Sequence, residues 1–452
     1  MLQRFVNFIE QQQLIPSGRL LLAVSGGRDS VAMTDLMHRA GYDFAIAHCN
    51  FKLRGDESNR DQRFVTKLAS SMGAPFFTID FDTGNYASSH KKSIEEAARE
   101  LRYGWFADIC RQNGYAAVVT AHHADDSVET LFLNLFRGTG IAGLHGISLR
   151  TTLKGVQIVR PMLCFSRSDI DAYVDERKLQ YVDDHTNLQS DVQRNFIRLR
   201  IMPLLRQRYP AIDKTMLANI GRFSEVEMIY NEHVSDLIRK ITRIEHSPYG
   251  VDIHSFLIDD IISLSPRHTI MHEILSPYGF SSESIAFIDS ALDHPVTGCR
   301  YLSPTFIAAV DRGRLSLVPR WDGTFPQVLV ESGHWAVDKQ RGRSIEIVDA
   351  DKVKLPLCVR GWNKGDVFQP LGMNKTRLVS DFLKDCKVNA AIKERVPLLV
   401  DADGHVVWVV GHRLDNCVRV TDETNRMLRL ELLQPSVSNG QRNGNAAECC
   451  HQ

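Results

Sequence analysis

Between Leu20 and Pro161, five short apolar runs alternate with stretches of helical spacing, and that alternation leaves few folds open. The runs are Leu20–Val24, Phe44–Ala47, Pro75–Ile79, Ala116–Thr120 and Val156–Val159. Runs this short and largely apolar suit strands covered on both faces. After the first of them, Met33, Leu36, Met37 and Ala40 recur every three or four residues and Gly41 follows, which predicts a helix with one buried stripe and a glycine stop. Strand and helix in regular succession predict an α/β fold, a Rossmann-like doubly wound parallel sheet, in which ligands bind beyond the carboxyl ends of the strands.

At 452 residues the chain is too long for one hydrophobic core. We expect a catalytic domain over 1–210, a mostly helical domain over 211–320, a linker over 321–355 and a small α+β domain over 356–433. The second domain would open with a helix over Ala211–Lys240 whose core stripe is Met216, Ile220, Phe223, Val226 and Ile229–Tyr230. In the last domain Val406–Val410 reads as a strand and Leu378–Asp385 as a helix, and the polar tail 434–452 reads as disordered.

The 54 Lys and Arg balance the 54 Asp and Glu, so any nucleic-acid contact must come from local patches. One such patch is TNLQSDVQRNFIRLRIMPLLRQRYP, with five Arg, namely Arg194, Arg198, Arg200, Arg206 and Arg208, against one Asp. Nine Cys, without a CxxC pair, read as reduced thiols and a cytoplasmic chain. No apolar run reaches membrane-spanning length, and MLQRFVNFIEQQQ reads as an amphipathic helix, so no membrane partner is expected.

The loop SGGRDS follows the first strand. Ser25, Gly26 and Gly27 can turn their N–H groups into one concavity, and the helix starting near Asp29 adds its positive end, which makes an anion nest. The usual phosphate loop ends in a Lys that reaches the β and γ phosphates; here Arg28, Asp29 and Ser30 stand in its place. Asp29 would repel phosphate unless a divalent cation lies between, so nest and carboxylate together point to a Mg²⁺-nucleotide. The plainer alternative is a glycine-rich turn with Asp29 as a helix N-terminal charge.

A second cluster, TAHHADDSVETLFLNLFRGTGIAGLHG, starts where the fourth strand ends. Val128, Leu131, Phe132 and Leu135 would form the buried stripe of its helix, with Asp126 and Glu129 one turn apart on another face. His122, His123 and these carboxylates would thus gather near Ser25. The string Gly138–Gly143 also fits GxGxxG, but it follows a helix and not a strand, which excludes a dinucleotide site.

SGGRDS resembles the SGGxDS loop of the PP-loop ATP pyrophosphatases, which cleave ATP between the α and β phosphates and use the loop to hold the departing pyrophosphate. With HHADDSVET and RGTGIAGL, the chain resembles the tRNA(Ile)-lysidine synthetase family. Further matches are AHCNFKLRGDES, EEAARELRYGWF, RPMLCFSRSDI, QRNFIRLRIMPLL and RGWNKGDVFQPLGMNKTRLVSDFLKD, so the likeness runs over nearly the whole chain. Ser127 stands where many members have Gln, and Phe51 where a second His is common.

The resemblance implies a ligase that joins free L-lysine to carbon 2 of the wobble cytidine of a tRNA(Ile) with a CAU anticodon, through an adenylated base, releasing AMP and pyrophosphate. ATP and Mg²⁺ would be the cofactors, and a homodimer stays open. Asp29 would hold the metal, and Ser25, Gly26, Gly27, Arg28 and Ser30 the phosphates. Arg102 and Arg137 would face the leaving group, with Asp126 and Glu129 binding and deprotonating the lysine amine. Exposed helix carboxylates are often only solvated, and that alternative for Glu129 stays open. His123, Arg194, Arg198 and Arg200 would touch substrate or tRNA, and the second and third domains would grip the tRNA. A thiolase of the same superfamily typically uses paired Cys or an iron–sulfur cluster, and a nucleotide-regulated RNA-binding protein would lack turnover.

Overall fold

The computed structural model describes residues 1–53, 55–182, 193–335, 342 and 344–433; the tail 434–452 lies outside them. The chain divides into two compact units, Met1–Ile229 and Tyr230–Gln452.

The first unit is built on a six-stranded sheet of β1 (Leu20–Ala23), β2 (Phe44–Asn50), β3 (Phe76–Asp80), β4 (Ala117–Val119), β5 (Arg150–Leu153) and β6 (Val156–Val159). Its order is β3-β2-β1-β4-β6-β5, parallel except for the β5–β6 hairpin. Helices α1 (Leu2–Gln11), α2 (Arg28–Arg39), α3 (Asp56–Ser71), α4 (Thr83–His90), α5 (Ile94–Asn113), α6 (Ala124–Arg137) and α7 (Arg167–Arg177) accompany it. The central strands β1 and β4 are apolar throughout because both faces are covered. Leu20 and Leu22 join Met33, Leu36 and Met37 of α2 in one core, while Leu21 joins Tyr103, Phe106 and Ala107 of α5 in another. Truncating one such side chain to Ala costs about 2–5 kcal/mol. After β1 the chain moves outward through β2 and β3, then returns to lay β4 on β1's other side. The crevice beyond β1 and β4 is therefore the switch point of the sheet.

Three expectations need correction. Leu135 is half exposed at 49%, whereas Glu129 is buried at 3%, because α6 turns its carboxylate face and not its whole apolar stripe inward. In the long helix α10 (Ile212–Ile241), Val226 and Ile229 are exposed, while Met216 and Ile220 pack against Val128, Ile197 and Met202. Between α7 and α10 lie α8 (Gln193–Phe196), a π-helical turn at Ile197–Ile201 and α9 (Met202–Arg208).

In the second unit, α11 (Ile258–Ile262), α12 (Arg267–Leu275) and α13 (Ser282–Ala291) share a core with Phe256, Leu315 and Leu317 from a five-stranded antiparallel sheet. The third correction concerns the expected linker 321–355. Val328–Gly333 and Ile345–Asp349 are strands flanking Met427–Leu432 in an antiparallel sheet, so this segment shares backbone pairing with the last domain. The expected strand and helix of that domain are present as Val406–Val409 and Val379–Asp385.

Candidate active site

A cavity of about 370 Å³ opens at the switch point, lined by the loop after β1, by Cys49 and Phe51 at the end of β2, and by Thr120, Ala121 and His122 after β4. Gly26 takes φ +95°, and a Cβ there would lie 3.2 Å from the Val65 side chain, so the turn requires glycine. Gly27 precedes α2. The Gly26 N–H donates to the Ser30 hydroxyl at 3.2 Å and the Gly27 N–H to the Ser25 hydroxyl at 3.3 Å, so side-chain oxygens fill the acceptor positions that a phosphate would take.

Arginines surround this nest unequally. Arg28 donates to Asp171 and to the Tyr181 hydroxyl, both at 2.6 Å, and stacks on the Tyr181 ring. Arg167 donates to both oxygens of Asp29 at 3.0 Å and pairs through Nε with Asp171 at 3.1 Å. Arg102 lies over Phe51 and Tyr103, with a buried Nε that finds no partner. Asp29 and Asp126 bring two carboxylates to the cavity wall, a donor set that suits Mg²⁺, which takes one or two carboxylates and completes its shell with phosphate and water oxygens.

A second cavity of about 280 Å³ is lined by His123, Asp125, Glu129, Arg167, Arg198 and Arg206, with Val128, Leu199 and Met202 as its apolar wall. Glu129 accepts from Arg198 Nε at 2.6 Å and Nη2 at 2.9 Å, and the same Nη2 reaches Asp126 at 3.2 Å. The other Asp126 oxygen accepts the His123 N–H at 2.9 Å and so caps α6. Burial drives the Glu129 carboxyl above its usual range although Arg198 pulls it down. Burial also opposes the Asp126 carboxylate, but His123, His122 and Arg194 outweigh it and hold that group low. Two carboxylates one turn apart are thereby driven in opposite directions, the arrangement that separates a base from a permanent anion.

The histidines diverge as well. Burial pushes His122 down to about 4, leaving it neutral, with Nδ1 2.9 Å from the Thr120 hydroxyl. Burial opposes charge on His123 too, yet Asp125, Asp126 and Asp29 raise it. Asp125 is held down to about 2: burial works against its charge, but His123, the Arg167 N–H and Arg206 prevail.

Of the residues singled out from sequence, the loop Ser25–Ser30, Arg102, His122 and Asp126 meet at the first cavity, and His123, Glu129 and Arg198 at the second. Arg194 pairs with Glu129 at 3.5 Å and donates to Thr130. Two lie apart: Arg137 is exposed and donates to Gln193, and Arg200 is exposed. Sequence reasoning missed Arg167 and gave Arg206 only to the basic string, whereas Arg206 donates to Asp125 at 2.9 Å and to Asp213 at 2.8 Å. The signal available for Arg167 was the string RPMLCFSRSDI, in which Ser166 caps a helix whose first residue is Arg167.

The profile of the PP-loop domain matches residues 1–205, that of the TilS substrate binding domain 251–320, and that of the TilS substrate C-terminal domain 357–432. The chain is 37% identical to the tRNA(Ile)-lysidine synthase of Bacteroides thetaiotaomicron over 433 residues, which cover 94% of this chain and 98% of that protein. It belongs to the tRNA(Ile)-lysidine synthase family. Another family member, from Porphyromonas gingivalis, is 32% identical over 90% of this chain and 93% of its own. The crystal structure of a TILS C-terminal domain is similar to 23% of this chain and covers 80% of that one, at 28% identity and a TM-score of 0.22. Among the described residues no helix is long and apolar enough to cross a membrane.

Proposed function

We propose that this chain uses ATP to join free L-lysine to carbon 2 of the wobble cytidine in the CAU anticodon of tRNA(Ile), working in the cytoplasm. The supporting observation is the pair of cavities that share Arg167 in their linings, one carrying the anion nest and Asp126 and the other Glu129, two carboxylates one turn apart with opposite shifts in acidity.

In the first step the cytidine O2 attacks the α phosphorus and the bond to the β phosphate breaks. The Gly26 and Gly27 amides take the departing pyrophosphate in place of the serine hydroxyls, and Arg102 faces the growing charge from its unpartnered Nε. Asp29 would hold a Mg²⁺ ion, whose positive charge lowers the cost of crowding phosphate oxygens against a carboxylate.

In the second step the ε-amine of lysine attacks carbon 2, and AMP leaves with the former O2. That amine is protonated at neutral pH, with a pKa of about 10.4 in model compounds. Glu129, with its raised pKa, accepts a proton, while Asp126 stays ionised and holds the ammonium before transfer. Arg198 spans both carboxylates and must give up part of this contact when lysine enters. Arg200 and the second unit would hold the tRNA through its phosphates.

The test is incubation with Mg·ATP, radiolabelled lysine and an unmodified CAU-anticodon tRNA(Ile) transcript, with a methionine tRNA as control. Label on the isoleucine tRNA alone, with AMP and pyrophosphate released, is the expected result. Pyrophosphate released without label would move the reading to a different nucleophile, and sedimentation of the same preparation distinguishes monomer from homodimer.

A further inference from the structure

Arg167 is the residue common to the linings of both cavities. It is the first residue of α7, and its N–H donates to Asp125 at 2.8 Å, which fixes the backbone from the lysine side. Its guanidinium reaches the other way, to both oxygens of Asp29 on the nucleotide side, and Nε stays on Asp171. The two Asp29 contacts come from one nitrogen, Nη1, so a single partner exchange frees that donor while Nε remains anchored. Arg28 offers no such exchange, because Asp171 and Tyr181 hold both its terminal nitrogens at 2.6 Å.

The two steps of the reaction place opposite demands on the site but share one group. Pyrophosphate leaves toward the loop and lysine arrives from the carboxylates, whereas the α-phosphoryl group is present throughout. It is first the centre that cytidine O2 attacks as the α–β phosphate bond breaks. It is then the phosphate of the AMP that departs, with O2, as the lysine nitrogen bonds to carbon 2. A cation at the junction of the two cavities is placed to meet that group in both steps. The Nη1 that now meets both Asp29 oxygens can meet phosphate oxygens in the same way.

We propose that Arg167 is a catalytic residue shared by both half-reactions, held on Asp29 before nucleotide binds and passed to the α-phosphoryl group afterwards. This rests on the lysine-ligation reading, and the experiment separates the two. Wild-type protein is first given α-labelled ATP and tRNA without lysine, to isolate the adenylated tRNA; lysine is then added, and AMP release is followed in a single turnover. Failure of the wild-type chain to adenylate tRNA would overturn the reading and the inference together.

With the wild type active, Arg167→Gln and Arg167→Lys are compared in each step, alongside the affinity for a non-cleavable α,β-methylene ATP and thermal unfolding. Slowing of both adenylation and AMP release by tenfold or more, with analogue affinity within threefold of wild type, supports the assignment. Lys supplies one point charge and cannot keep Asp171 while meeting the phosphate, so it is expected to fail in both steps like Gln. Loss confined to one step, normal rates in both, or loss of analogue affinity in proportion to the rates would overturn it, the last showing a merely structural clamp. Should Arg167→Gln not fold, Arg167→Lys decides by the same criteria.

Discussion

The nest after β1 and the carboxylate pocket beside α6 lie in one domain, yet they are held together in different ways. The nest is closed within six residues: Ser25, Gly26, Gly27 and Ser30 bond to one another through backbone amides and hydroxyls. The pocket is cross-braced over long sequence separations, with Asp125 tied to the Arg167 backbone N–H and the Arg206 guanidinium and Glu129 tied to Arg198. A locally closed site fails through its backbone, whereas a cross-braced one fails through loss of a partner.

The largest expected effect follows from that distinction. Glu129→Gln removes the base while keeping the shape, so lysine attachment should fall about 10²–10⁴-fold, the usual share of general-base catalysis. Adenylation, which the nest serves, should stay within about threefold when measured by tRNA-dependent pyrophosphate release. Arg198 would lose its main anion in a half-buried setting, and urea denaturation should show a loss of about 1–3 kcal/mol. Equal loss of both half-reactions would erase the division of labour between the two sites.

The complementary break is Gly26→Ala. A side chain at φ +95°, 3.2 Å from Val65, costs on the order of 1–3 kcal/mol of strain and turns the amides out of register. ATP affinity, read by calorimetry, should drop by roughly tenfold, the equivalent of 1.4 kcal/mol. Binding of lysine to the carboxylate pocket should be unchanged, and a variant that lost lysine and kept ATP would reverse the assignment of the two cavities.

The same difference explains what could be read from the residues alone. Strands β1 to β4 and β6, the glycine turn and the HHADD helix were legible because each is set by neighbours in sequence: apolar runs, a residue needing positive φ, a capped helix. Arg28 and Arg198 illustrate what was not. Both look like free cations in sequence, but Arg28 is held by Asp171 and Tyr181 and Arg198 by Glu129 and Asp126, partners that only the tertiary fold brings near. Burial of Glu129 was hidden for the same reason, since helical spacing gives faces but not what covers them. The strands at Val328–Gly333 and Ile345–Asp349 escaped because both pair with a segment some 80–100 residues further on, Met427–Leu432.

A smaller effect separates the two adjacent histidines by pH. His123 is raised above its unfolded value of about 6.5, so its contribution to stability is full below that pH and is lost as pH rises through the folded pKa. His122 is lowered to about 4, so the fold loses stability as pH falls from about 6.5 toward 4. Asp125, at about 2, contributes stability that is present above about 3.9 and fades only nearer pH 2. Urea midpoints between pH 4 and 8 should therefore lose their acid-side slope in His122→Asn and their neutral-to-alkaline slope in His123→Asn. The opposite assignment of slopes would mean that the carboxylates face His122 and not His123.

The smallest effect belongs to the exposed cations, which neither cavity uses. Arg200 lies on the segment whose Arg198 is locked onto Glu129, so the two test whether one basic string serves two purposes. Arg200→Ala should weaken tRNA binding only a few-fold and lower the slope of log affinity against log salt by about 1, the signature of one lost phosphate contact. Because such a contact positions the tRNA without touching the reacting atoms, KM for tRNA should rise while kcat holds. A fall in kcat with an unchanged salt slope would place Arg200 with Arg198 in the chemistry, and the basic string would then belong wholly to the cross-braced pocket.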